Sequence, residues 1–166
     1  MAGKNEVWIG FDLGGTKMLA TVYDDAFKPL GSKKKKTRGH EDADTGVERM
    51  GDAIESALEK AGADPSRLAG IGIGSPGPLD PERGILFSTP NLSWRDVPLR
   101  EALEKRFGCP VAVINDVDAG TYGEYRFGAG KKSKSLLGIF PGTGIGAGYV
   151  HRGRLLFGEG MSCMEI

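Results

Sequence analysis

The sequence is poor in cysteine, in net charge and in long apolar segments. Its two cysteines, Cys109 and Cys163, have no CxxC spacing, so we expect reduced, buried thiols rather than disulfides. The 22 basic and 22 acidic side chains cancel, which argues against nucleic-acid or membrane-surface partners. No apolar run approaches the roughly 18 residues of a membrane span, and the amino terminus has no signal-peptide pattern. These absences predict a soluble, cytoplasmic protein.

Glycine is the residue in excess, with 27 among 166 residues. Many of these glycines follow predicted strands. Residues 12–17 (DLGGTK) follow the apolar run 7–11, and residues 142–148 (GTGIGAG) follow the apolar run 136–140. Glycine lets a backbone approach a ligand closely or adopt a positive φ. The two loops therefore predict two backbone cradles for phosphate groups.

The pattern of apolar residues predicts an α/β protein with two similarly built parts. Predicted strands cover residues 7–14, 18–23, 29–37, 68–74 and 111–114, and predicted helices cover residues 45–61, 98–107 and 116–127. Thr45 and Glu48 form a capping box for the first helix. The lysines of the third strand would protect an exposed sheet edge. Because the strand–glycine–strand pattern restarts near residue 135, we expect one lobe over residues 1–130 and the beginning of a second over residues 131–166.

Asp116 is the candidate catalytic residue. It ends a predicted buried strand, where functional side chains of open α/β sheets are found. Two other interpretations remain open: Asp116 could cap the next helix, and Asn115 could be a turn residue or a partner for a substrate hydroxyl. Residues 90–94 (PNLSW) predict a rigid loop that offers an amide and an aromatic ring, both suited to a sugar.

The glycine loops supply the candidate phosphate-binding residues. Gly14 and Gly15 can take positive φ values and present N–H groups to phosphate oxygens. Asp12, at the strand end, could bind Mg²⁺ through water. The full set of predicted phosphate ligands is Asp12, Gly14, Gly15, Thr16, Lys17, Gly142, Thr143 and Gly144. The GxGxxG-like patterns at residues 72–77 and 142–147 do not predict a dinucleotide site, because neither is followed by a helix pattern.

Together these segments resemble the repressor/ORF/kinase (ROK) family of sugar kinases, and bacterial glucokinases in particular. The segments that match, in the family's order, are residues 9–17, 72–78, 90–92, 115–116 and 142–146. The resemblance implies an actin/hexokinase-type ATPase fold, in which two ribonuclease-H-like lobes with mixed sheets close over ATP and sugar. It implies ATP-dependent phosphorylation of a hexose, glucose first, with Mg²⁺ as cofactor and Asp116 as the general base.

The same resemblance implies the sugar-binding residues. Asn91, Asn115 and Glu165 would bind sugar hydroxyls, and Gly77 would lie close to the ring. Family kinases continue Glu165 with a Gly-His segment and a zinc-binding cysteine motif. The sequence ends at Ile166, so we expect the front portion of such a kinase, with structural zinc only in a further part. A homodimer is compatible with the resemblance.

Three other functions remain open. A sugar-responsive repressor of the same family would carry an N-terminal helix-turn-helix, whereas only residues 1–6 precede the first predicted strand. A non-catalytic sugar- or nucleotide-binding remnant would keep the cradles without activity. An actin-like assembly protein could use the same cradles, but Asn91 and the Asn115–Asp116 pair fit a sugar site better.

Overall fold

The computed structural model describes residues 6–89, 92–142, 144–158 and 164–165. In chain order the elements are β1 (Val7–Leu13), β2 (Lys17–Tyr23), β3 (Pro29–Lys36), α1 (Ala43–Ala61), a short 3-10 helix (Pro65–Arg67), β4 (Leu68–Ser75), β5 (Leu79–Asp80), β6 (Ile85–Thr89), β7 (Leu92–Pro98), α2 (Leu99–Phe107), β8 (Val111–Asn115), α3 (Asp116–Phe127), β9 (Ser135–Pro141), β10 (Ile145–His151), β11 (Arg154–Leu155) and β12 (Met164–Glu165). Among the described helices, none is long and apolar enough to cross a membrane.

A mixed sheet of five strands organises the first part of the described chain. Its strand order is β3-β2-β1-β4-β8. The first three strands form an antiparallel meander, and β4 and β8 run parallel to β1. The lysine-rich strand β3 lies at the edge, as its composition indicated. Because β1, β4 and β8 are parallel, their carboxyl ends meet at one edge of the sheet.

The hydrophobic core lies between one face of this sheet and the helices α1 and α2. Alternate residues of β1 are buried, which is the period-2 pattern of a strand with one covered face. From α1, Met50 and Ile54 are fully buried against the sheet. Burying each such side chain contributes about 1.5–3 kcal/mol. The buried thiol of Cys109 packs at the margin of this core, as predicted, while Cys163 lies outside the described residues.

The first helix begins earlier than predicted. Its N-cap is Asp42, whose carboxylate accepts hydrogen bonds from the Thr45 N–H at 2.8 Å and the Thr45 hydroxyl at 2.9 Å. The predicted capping box at Thr45 is therefore wrong, because an aspartate three residues upstream makes the equivalent bond. The glycine caps Gly62 and Gly108 adopt the left-handed conformation at the ends of α1 and α2.

A second sheet, β5-β6-β7, includes residues 92–94 of the segment that was predicted to be a rigid loop. In β7 the side chains of Leu92 and Trp94 are buried, and Trp94 donates a hydrogen bond from Nε1 to the Glu41 carbonyl at 3.2 Å. A Cβ on Gly46 of α1 would lie 1.8 Å from the Trp94 ring, so this helix has room for the indole only because residue 46 is glycine. The prediction that Trp94 offers its ring to a sugar is therefore wrong, because Trp94 is a buried core residue.

The strand–glycine–strand pattern near residue 135 forms the antiparallel hairpin of β9 and β10. This hairpin packs on α3 through glycines. A Cβ on Gly146 would lie 2.8 Å from Val117, and one on Gly148 would lie 2.5 Å from the Thr121 hydroxyl. The close packing joins the hairpin to the helix that begins at Asp116. The division into two lobes at residue 130 stays a prediction.

Candidate functional site

The candidate site lies where β1, β4 and β8 end. The register sets Asp12 beside Gly74, and Gly74 beside Ile114. Asp116 is the first residue of α3, directly after β8. A cleft of about 580 Å³ has both Asp12 and Asp116 in its lining. Gly72 and Gly74 of β4 also line this cleft, and a Cβ on Gly74 would lie 3.4 Å from the Asp116 Cα.

Burial and the Asp116 carboxylate change the electrostatic environment of Asp12. Desolvation raises the pKa of Asp12 above its ordinary value, the Asp116 carboxylate raises it further, and Lys34 opposes the shift. A pair of neighbouring acids fits a hard divalent cation, because Mg²⁺ prefers oxygen ligands. In the described ranges no cluster of three or more side chains could bind a metal unaided. Mg²⁺ is often held by one or two carboxylates with water and substrate phosphates, and Asp12 fits that arrangement.

Asn115, rather than Asp116, is the N-cap of α3. Its Oδ1 accepts hydrogen bonds from the N–H groups of Val117 at 2.7 Å and Asp118 at 3.3 Å. Asp116 is exposed, and among the described residues only its Oδ1 forms a hydrogen bond, to the Val117 N–H at 2.9 Å. Asn115 itself is buried, with only 5% of its surface exposed.

The turn between β1 and β2 is closed by hydrogen bonds of its own backbone. The Gly14 N–H donates to the Lys17 carbonyl at 3.0 Å, and a Cβ on Gly14 would lie 2.7 Å from that oxygen. Neither Gly14 nor Gly15 is among the glycines of positive φ, so that expectation is wrong. Glycine is needed here for a close approach instead. Gly15 and Thr16 are left as the candidate backbone donors to a phosphate.

Thr37 fixes this turn, although no sequence pattern pointed to it. The side chain is fully buried. Its hydroxyl donates to the Gly14 carbonyl at 2.6 Å, and its N–H donates to the Thr16 carbonyl at 2.9 Å. Both bonds join residues at least 21 positions apart in the sequence, so no local pattern predicts them. Thr37 therefore anchors the candidate phosphate cradle to the end of β3.

Replacing Thr37 with Val should loosen the cradle. The substitution keeps the side-chain volume but leaves the Gly14 carbonyl without its donor, so the free energy of unfolding should fall by about 1–3 kcal/mol. Binding of tripolyphosphate should weaken with it. Chemical denaturation and calorimetric titration measure the two effects. Thr37→Ser, which keeps the hydroxyl, is the control; equal losses in both variants would contradict the anchoring role.

The other predicted site residues either do not line this cleft or lie outside the described residues. Gly77 has φ 83°, and a Cβ there would lie 2.5 Å from the Ser88 carbonyl, so this glycine packs against β6. Gly142 donates its N–H to the Gly144 carbonyl at 2.8 Å in the exposed turn of the β9–β10 hairpin. Glu165 pairs with Gly146 through its backbone in β12. Asn91 and Thr143 lie outside the described residues, as does the side chain of Glu165.

Asp118 is a second residue near the site that no sequence pattern indicated. It is only 1% exposed, and both carboxyl oxygens lack a hydrogen-bond partner among the described residues. A Cβ on Gly148 would lie 3.1 Å from its Oδ1, so this carboxyl lies between α3 and β10. Burial, and secondarily the Asp116 carboxylate, raise the pKa of Asp118 from 3.8 to about 6. An acidic residue in a first helical turn is usually exposed, so no local pattern indicated that Asp118 is buried.

The mixed sheet, its strand-end carboxylates and the glycine hairpins are the parts of a hexokinase-type α/β ATPase lobe. The sequence profile of the ROK family matches residues 8–164, and this chain belongs to the ROK family. A glucokinase of Streptomyces coelicolor is 39% identical over 151 residues, which are 91% of this chain and 45% of that protein. A xylose repressor of Caldicellulosiruptor bescii is 33% identical over 158 residues, 95% of this chain and 40% of that protein.

Solved structures confirm the predicted fold class. The crystal structure of a ROK family glucokinase from Streptomyces griseus, in complex with glucose and AMPPNP, has a TM-score of 0.82 and 37% sequence identity to this chain. The match covers 95% of this chain and 48% of that one. The chain thus spans about half the length of the relatives that it matches.

Proposed function

We propose that this chain is the front part of an ATP-dependent hexose kinase in which Asp116 is the general base. One observation carries the proposal: an exposed carboxylate at the end of a buried parallel strand shares a cleft with a second carboxylate, Asp12. The capping role of Asn115 supports it, because it leaves one Asp116 oxygen without a described hydrogen-bond partner. The glucokinase relatives, and the glucose and AMPPNP in the Streptomyces griseus structure, favour a hexose and ATP as substrates.

In the proposed reaction Asp116 accepts the proton of the hexose 6-hydroxyl. The hexose oxygen then bonds to the terminal phosphorus of ATP, while the bond between that phosphorus and the β–γ bridging oxygen breaks and ADP leaves. Little covalent chemistry is required of the protein, so positioning and charge stabilisation dominate. When bound, Mg²⁺ would neutralise charge on the phosphate oxygens, with Asp12 as its ligand through water.

The remaining residues would orient the two substrates. The turn residues Gly14, Gly15, Thr16 and Lys17, with Gly142, Thr143 and Gly144 of the second turn, would bind the phosphates. Asn91, Asn115 and Glu165 would bind sugar hydroxyls, with Gly77 close to the ring. We propose residues 1–130 as the first lobe and residue 131 as the start of the second, so that closure of the lobes excludes water from the transfer.

A sugar-responsive repressor is the second candidate, because the xylose repressor relative matches nearly the whole chain. A repressor needs sugar binding but no general base. The two functions therefore differ in whether the bound sugar is phosphorylated.

The test is an assay of the protein at its natural length with glucose, with 6-deoxyglucose, and with ATP. Calorimetry should show binding of both sugars, and detection of glucose 6-phosphate should show transfer to glucose alone, because 6-deoxyglucose lacks the attacked hydroxyl. Binding of glucose without any transfer would favour the repressor. Failure to bind any hexose would contradict both candidates.

A further inference from the structure

The four consecutive lysines of β3 divide between the two faces of the sheet. Lys35 pairs in register with the buried Met18, and its Nζ lies 3.3 Å from an Asp52 carboxylate oxygen of α1, on the core side. Lys34 pairs with Leu19, which itself pairs with Asp12, so Lys34 shares the cleft face with that carboxylate. Because side chains alternate along a strand, Lys36 shares the face of Lys34, and Lys33 shares the face of Lys35.

Lys36 also lies directly opposite Lys17 in the β2–β3 pairing. Like charges opposite each other destabilise a sheet. Neither side chain, nor Lys34, forms a salt bridge with a described residue. Asp12 is the single acid that β1, β2 and β3 present on this face. With Asp116 of α3, which lines the same cleft as Asp12, three cations face two carboxylates, and an anionic ligand would neutralise the remaining positive charge.

These three residues, the cleft lysines Lys17, Lys34 and Lys36, adjoin the candidate phosphate cradle. Lys36 precedes Thr37, which is bonded to the carbonyls of Gly14 and Thr16. The end of β3 is therefore held against the β1–β2 turn. Lys34 is close enough to Asp12 to lower the pKa of its carboxyl group. The charges thus extend from the turn to the cleft that contains Asp116.

We propose that Lys34 and Lys36 extend the phosphate site beyond Lys17 and bind the linear phosphate chain of the phosphoryl donor. The inference rests on the proposed function. Residues two apart on a strand are separated by about 7 Å, which suits a chain of several phosphates better than a single anion. Lysine is suited to this role because its ammonium group is a flexible point charge that needs no fixed ligand geometry. The same chemistry would accept a nucleoside triphosphate or inorganic polyphosphate.

The alternation of the lysines supplies a matched control within one strand. Lys34→Gln/Lys36→Gln removes two charges from the cleft face, and Lys33→Gln/Lys35→Gln removes two charges from the other face. Calorimetry with tripolyphosphate and with ATP, at low and at high salt, measures the affinities. We expect the first variant to bind tripolyphosphate at least about tenfold more weakly and with a smaller salt dependence, because exposed charge interactions are screened by salt. The second should stay within about twofold of the unaltered protein, and glucose binding should be unchanged in both.

The results separate this inference from the proposed function. An equal loss of tripolyphosphate affinity in the two variants, or no loss in the first, would overturn the role of Lys34 and Lys36. Phosphorylation of glucose by the unaltered protein would still support the kinase in that case. No binding of tripolyphosphate or ATP to the unaltered protein would also overturn it, as would tighter binding of a DNA oligonucleotide than of either. If the first variant loses affinity for tripolyphosphate as much as for ATP, recognition is of the phosphate chain itself. A loss for ATP alone would overturn that assignment.

Discussion

Asp116→Asn is expected to lower the turnover number for hexose phosphorylation by about 10²- to 10⁴-fold, the usual contribution of a positioned general base. Asparagine has the same shape and can still accept the hydrogen bond from the Val117 N–H, so α3 should keep its first turn. It cannot take the proton of the 6-hydroxyl. Affinity for the sugar should therefore change little. Steady-state kinetics and calorimetric titration with glucose separate the two quantities.

Asp12→Asn is the control variant to compare with Asp116→Asn. If Asp12 holds Mg²⁺ through water, its loss should be partly offset by raising the Mg²⁺ concentration, whereas the loss of the base should not. Both variants remove one charge from the same cleft, so a purely electrostatic effect of charge removal would affect them alike. An unchanged turnover number in Asp116→Asn would contradict the role of Asp116 as the general base.

Asp118→Asn is expected to raise the free energy of unfolding at pH 7.5 by about 1–3 kcal/mol. The wild-type carboxyl is buried without a described partner, and its pKa is raised from 3.8 to about 6. At pH 7.5 it is ionised in the folded protein, which costs about 1.4 kcal/mol per unit of pKa difference, or about 3 kcal/mol. The amide is neutral and of the same size. The gain should fall short of the full value, because the buried amide also needs partners.

The sign of the pH dependence follows from the raised pKa. The stability that the neutral carboxyl contributes is fully present below about pH 4, and it is lost as the pH rises to about 6. Asp118→Asn should flatten this part of the curve of unfolding free energy against pH. Asp25→Asn, at an exposed turn position, removes the same formal charge and should change stability by less than about 0.5 kcal/mol. If the curve of unfolding free energy against pH for Asp118→Asn runs parallel to that of the wild type, the raised pKa of Asp118 is contradicted.

Gly46 and Trp94 show where sequence patterns failed to predict the fold. Residues 90–94 (PNLSW) predicted a rigid loop that offers an aromatic ring to a sugar, yet Trp94 lies in β7 and is buried against α1. Its fit depends on a glycine 48 positions away along the chain. Periodicity describes spacing along one segment, and it carries no information on which distant segment will cover that residue.

Local sequence patterns were enough to place the main strands and helices around the site and to put Asp116 at the end of β8. These depend on local backbone conformations and on apolar spacing, which neighbouring residues dictate. Three features became visible only in the folded chain: Thr37 holds the Gly14 turn, Asp118 is buried, and the β3 lysines divide between the core face and the cleft face. Each of those outcomes depends on contacts between residues far apart in the chain, and burial and electrostatic environment exist only once those contacts have formed.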